Sequence, residues 1–103
     1  MSTKPGVALR TRRARRLLDR ARNPVSITKH AAERLLEDWP KSGEGAIKQD
    51  LATARYHIRQ LCLSATRIRR GHNCRILESG DWFIFFRDNT VVTVMHNNSQ
   101  RRV

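Results

Sequence analysis

Hydrophobic positions along this chain change their period near residue 71. Before it they recur every three or four residues; after it they alternate or gather in short blocks. From Val7 to Arg22, the residues Val7, Ala14, Leu17, Leu18 and Ala21 share one side of a helical wheel, and Asn23-Pro24 ends the pattern. That stripe is narrow, so a helix here is expected to form when docked or bound. A second helix is predicted from Lys29 to about Asp38, with Thr28 as its N-cap and Ala31, Ala32, Leu35, Leu36 and Trp39 as its apolar side. Pro40 and residues 41–45 read as a loop. Ile47, Leu51, Ala54, Ile58, Leu61, Cys62 and Ala65 predict a third helix from 46 to about 65, with Gly71 as its latest end.

Beyond Gly71 the pattern is that of strands: Cys74 to Glu78, Asp81 to Arg87 and Thr90 to Met95. Ser79-Gly80 and Asp88-Asn89 between them have turn composition. Trp82, Phe83, Ile84, Phe85 and Phe86 are apolar on both faces, which suits the central strand of an antiparallel meander. So small a sheet needs a cover, and the third helix is expected to lie across it. The predicted fold is α+β, N-terminal helices followed by a small antiparallel β-meander. A basic arm (1–25) precedes a single domain (26–98), and a basic tail (99–103) follows.

Charge changes the picture most. The chain of 103 residues carries 21 Lys and Arg against 9 Asp and Glu, a net charge of +12. Lys4, Arg10, Arg12, Arg13, Arg15, Arg16, Arg20 and Arg22 crowd into the first segment beside a single acid, Asp19. Such a field suits a polyanion, and counterion release supplies affinity with little sequence preference. Lys48, Arg55 and Arg59 add a basic stripe along the third helix. The residues expected to meet nucleic acid are therefore Arg10, Arg12, Arg13, Arg15, Arg16, Arg20, Lys48, Arg55 and Arg59. No apolar run reaches membrane length, no secretory signal is expected, and Cys62 and Cys74 read as reduced thiols of a cytoplasmic protein.

Candidate chemistry is sparse. His30 and Arg34 lie one helical turn apart, off the apolar side, and could hold an imidazole and a guanidinium toward one phosphate. The commoner meaning of that spacing is a solvated helix face. His96 follows the last strand and could complete an acid/base pair with His30; otherwise it begins a frayed tail. Thr93 and Arg87, on neighbouring strands, could orient or neutralise a phosphate. Tyr56 reads as a packing residue at the core margin, and with aromatics at 6% a stacking platform is not expected. Cys62, His72 and Cys74 lack metal-ligand spacing, so neither a metal nor a cofactor is expected.

Thr28-Lys29-His30-Ala31-Ala32-Glu33-Arg34 and the strand Val91-Val92-Thr93-Val94 give the chain a further likeness. Over about residues 26–96 it resembles the small metal-independent ribonucleases grouped with barnase, colicin nucleases and RelE-type toxins. The resemblance implies helices before a twisted antiparallel sheet, an active site on the sheet's concave side, and catalytic roles for His30, Arg34 and Thr93. The expectation is a metal-independent ribonuclease, toxin-like or phage-encoded, with His30, Arg34, Arg87, Thr93 and His96 as its site. RNA is the expected partner and DNA the second choice. The alternatives are a non-catalytic nucleic-acid-binding protein, or an inhibitor that docks on an acidic host protein; a neutralising protein partner is also allowed.

Overall fold

The structure, a computed structural model, describes residues 12–100. Its first element is α1 (Arg12–Ala21), which turns Leu18 and Ala21 into the core. Arg22 fastens the end of that helix by donating to the Ala65 carbonyl at 2.9 Å. The described part of the expected arm is thus docked on the domain. Val7 and Arg10 lie outside the described residues.

Past Pro24 the chain makes the short β1 (Ser26–Ile27) and enters α2 (Lys29–Ser42). Thr28 caps α2: its hydroxyl accepts from the Ala31 amide at 3.1 Å and donates to the Val92 carbonyl at 3.2 Å. A cap of this kind contributes about 1 kcal/mol. The expected end near Asp38 comes too early, because the helix runs through Pro40 to Ser42. Pro40 forfeits the bond from its own nitrogen and its ring crowds the carbonyl four residues back, but only two helical residues follow it before the helix ends. Gly43, at φ 74°, then closes the turn, its N–H reaching the Pro40 carbonyl at 3.3 Å.

The third helix, α3 (Leu51–Leu63), begins later than the hydrophobic period suggests. Asp50 explains the delay: its carboxylate accepts from the Thr53 amide at 2.7 Å and caps the helix. Hydrogen bonding from Thr53 also holds the Asp50 carboxyl below its ordinary range. Ile47 packs against the core from the loop before the cap.

The remaining chain is β2 (Arg67–Gly71), β3 (Cys74–Ser79), β4 (Trp82–Arg87), β5 (Thr90–His96) and the short α4 (Asn97–Gln100). These form one five-stranded sheet in the order β1-β5-β4-β3-β2, with β1 parallel to β5 and every other pair antiparallel. The fold is α+β, and β4 is the central strand. Neither β1 nor β2 is legible from hydrophobicity: one is two residues long, the other reads Arg-Ile-Arg-Arg-Gly. Asp88 and Asn89 join β4 to β5 with φ of 49° and 63°, the left-handed pair that a tight hairpin requires.

One face of the sheet carries the core. Leu77, Ile84, Val91 and Val94 are fully buried against Leu35, Ala54 and Ile58. It is α2, not α3, that lies along the sheet, over β5; α3 packs on α2 and touches β3. Ala31 and Ala32 explain this, since their small side chains let the backbone of α2 approach the strand closely. No helix among the described residues is long and apolar enough to cross a membrane.

Candidate nucleic-acid interface

Side chains alternate along a strand, so the sheet has a second face. All three long helices share the first: α1 lines a cleft with Ile68, Arg75 and Phe86, while α2 and α3 meet Leu77, Ile84 and Val94. On the opposite face two cross-strand rows follow from the register. Arg67, Glu78, Phe83 and Met95 form one, and Arg69, Ile76, Phe85 and Thr93 form the other. Arg69 Nε pairs diagonally with Glu78 Oε2 at 3.2 Å, as two side chains on one face should. Phe83, Phe85, Ile76 and Met95 are half-buried, and Arg67 and Arg69 are exposed. Arg87 stands exposed at the end of β4, its Nε donating to the Asn73 carbonyl at 3.3 Å. The result is an apolar, partly aromatic strip bordered by guanidinium groups.

The five expected catalytic residues separate into two groups. Thr93 stands on this open face beside Phe85, with Arg87 at the end of the adjacent strand. His30 is exposed in the first turn of α2, where Thr28 binds the carbonyl of Val92, the neighbour of Thr93.

His96 and Arg34 belong elsewhere. His96 is buried on the helix-covered side, its ring 4.9 Å from that of Trp82, and its Nδ1 accepts from the Asn98 amide at 3.1 Å. Its backbone N–H donates to Asp38 Oδ2 at 3.0 Å. Asp38 stands eight residues beyond His30, a rise of about 12 Å along α2, so the two histidines are not brought together. Arg34 turns toward the same carboxylate, 3.6 Å from Asp38 Oδ2 and 2.9 Å from Glu37 Oε1. Both residues serve the buried Asp38, which also pairs with Lys41 at 3.4 Å.

The expected basic contacts divide as well. Arg12, Arg15, Arg16 and Arg20 are exposed on α1. Arg10 and the side chain of Arg13 lie outside the described residues. Lys48 precedes α3 and sits 3.6 Å from Asp50. Arg55 donates to the Ile27 carbonyl at 3.1 Å and Arg59 to that of Pro24 at 3.2 Å. These two arginines fasten α3 to β1 and to Pro24 ahead of it, supplying partners for backbone carbonyls at the edge of the sheet. Tyr56 is 58% exposed and is not the packing residue its position suggests. The expectation overlooked Arg67 and Arg69; their two-residue spacing around Ile68 was the available signal.

The cysteines differ in reactivity. Burial pushes the Cys62 thiol up to about 12. Cys74 is half-buried on the β2–β3 hairpin. Native protein at pH 8 should therefore be alkylated at Cys74 and not at Cys62, as mass spectrometry of the modified peptides would show. Because the ordinary value for Cys62 is 9.0, the unfolded chain ionises first. Stability linked to this thiol is complete below pH 9 and declines by roughly 1.4 kcal/mol per unit as pH rises toward the folded value. No group of three His, Cys, Asp or Glu among the described residues could hold a metal ion.

Compared with protein families, with curated proteins and with solved structures, the chain matches none.

Proposed function

We propose that this protein binds single-stranded RNA across the open face of its sheet, with the arginines of α1 adding affinity. The observation that carries the reading is the face itself: Phe83 and Phe85 half-exposed between Arg67, Arg69 and Arg87. Bases stack on such rings at about 1–3 kcal/mol each, while guanidinium groups meet the phosphates. A duplex offers its base edges, not its base faces, so an aromatic strip favours unpaired strands. The resemblance to small ribonucleases favours RNA over DNA.

A second reading adds cleavage. His30 is exposed and held beside the strand of Thr93, and Arg87 stands at the end of the next strand. An imidazole could take the 2′-hydroxyl proton while a guanidinium and a hydroxyl stabilise the charge that develops on the phosphorane. His96 has no part in this version, so one histidine or water must supply the leaving-group proton.

Labelled single-stranded RNA incubated in EDTA with wild type and with His30→Ala tests both readings. Retention of intact RNA supports binding alone. Cleavage lost in His30→Ala, with RNA still retained, supports the nuclease. Absence of retention at about 0.15 M salt sinks both.

A further inference from the structure

We infer that the end of the sheet beneath α1 is a phosphate-binding cleft built by Arg20, Arg70, Arg75 and Arg87. Two adjoining concavities carry the inference. One, of about 250 Å³, is lined by Leu17, Arg20 and Ala21 of α1 together with Arg75, Phe86 and Asp88. The other, of about 310 Å³, wraps around the β2–β3 hairpin and takes in Arg70, Arg75, Arg87 and Asp88. They share Arg75, Phe86 and Asp88, so one groove runs from α1 around the sheet's end.

Its electrostatics are unusual. Arg70 and Arg75 are direct cross-strand partners, and like charges in that position destabilise a sheet. Neither makes an ion pair with any of the described residues, and the same is true of Arg20 and Arg87. Asp88 is the one acid lining the groove, against four guanidinium groups. A fold can keep such a cost when a ligand removes it, and the fork of a guanidinium matches the oxygens of phosphate. The site is also held in place. Arg87 bonds the hairpin turn at Asn73, and the Asn89 carbonyl accepts from the Val25 amide at 2.8 Å, tying the β4–β5 turn to the segment after α1.

The shared chemistry is a phosphate of nucleic acid, either internal or at a 5′ end. This deepens the RNA-binding reading and rests on it for the identity of the polymer, not for the affinity of the cleft for phosphate. A strand crossing the open face toward Arg87 would reach the groove at the edge of the sheet.

The experiment uses the full chain and the variants Arg75→Gln and Arg70→Gln. In the first arm, thermal unfolding is followed with and without millimolar inorganic phosphate, at constant ionic strength. Wild type should gain melting temperature with phosphate and the variants should gain little. Without phosphate the variants should melt at or above wild type, because a like-charge pair has been relieved. Equal phosphate gains in all three proteins would overturn the cleft, as would a variant that melts well below wild type in phosphate-free buffer.

In the second arm, 5′-phosphorylated and 5′-hydroxyl RNA oligonucleotides are compared. A preference for the phosphorylated strand that vanishes in Arg75→Gln assigns the cleft to a terminal phosphate. An equal several-fold loss for both strands, with the salt slope reduced by about 1, assigns it to an internal one. Wild-type RNA binding that Arg75→Gln leaves unchanged overturns the proposal. If RNA is not bound but phosphate still stabilises wild type alone, the cleft stands and the RNA reading falls.

Discussion

Replacing Asp38 with Ala should destabilise the domain by about 3 kcal/mol, a large fraction of what a domain of this size has. The carboxylate side chain is 1% exposed and holds three groups in place. It accepts from the His96 amide at 3.0 Å, and it lies 3.6 Å from Arg34 and 3.4 Å from Lys41. His96 in turn packs its ring on Trp82, which stacks on Trp39 at 5.9 Å. Removing the carboxylate leaves a buried N–H without an acceptor, a penalty that exceeds the value of the bond itself, and leaves the half-buried Arg34 guanidinium with Glu37 alone as its counter-charge. Asp38→Asn keeps an acceptor for His96 and should cost less. Arg34→Ala, exposing only one side of the network, should cost about 1 kcal/mol. Urea denaturation of the three variants gives the order directly. Should Asp38→Ala shift the midpoint by less than Arg34→Ala, the network is not what holds the end of β5 to α2.

That network also separates what can be read from the sequence from what cannot. The start of α2 is legible because its determinant is local: a threonine three residues before an amide that needs an acceptor. The place of β4 is legible because a strand apolar on both faces has to be central. The start of α3 is misplaced by the hydrophobic period, since Ile47 is a core residue outside the helix and the decisive group is the Asp50 cap. β2 is hidden because an edge strand with one buried residue, Ile68, has almost no apolar pattern to show.

The candidate site is less legible than the fold, for a physical reason. Burial of Asp38 and His96 depends on the register between β5 and its neighbours and on how α2 crosses the strand, neither of which is a local property. Glu37-Asp38 looks like a solvated pair, and a histidine after a strand looks like a tail. The face shared by Arg69, Ile76, Phe85 and Thr93 exists only once four strands are aligned. Thr93 and Arg87 could be nominated as neighbours because the hairpin joining their strands is short and its turn residues are explicit. Arg67, Arg69, Arg70 and Arg75 could not, because the strand that aligns them was not visible.

Adjacent substitutions in β4 should have opposite consequences, and this gives the sharpest test of the open face. Ile84 is fully buried against Leu77 and Val94; Phe85 is half-buried on the other side of the same strand. Ile84→Ala should cost about 3 kcal/mol, through lost transfer energy and the cavity it leaves. Its RNA affinity, measured where the variant is still folded, should stay near wild type. Phe85→Leu keeps most of the apolar contact with its cross-strand partner Ile76 and should lose less than about 1 kcal/mol of stability. Because leucine has no π-face, it should weaken single-stranded RNA binding by roughly 1–3 kcal/mol, on the order of 5-fold to 150-fold. Paired denaturation and fluorescence-anisotropy titrations at fixed salt separate the effects. The arginines are untouched in both variants, so a uniform electrostatic attraction predicts no change in affinity for either. If Phe85→Leu binds as wild type does, the affinity comes from charge alone and the sheet face is not where the bases lie.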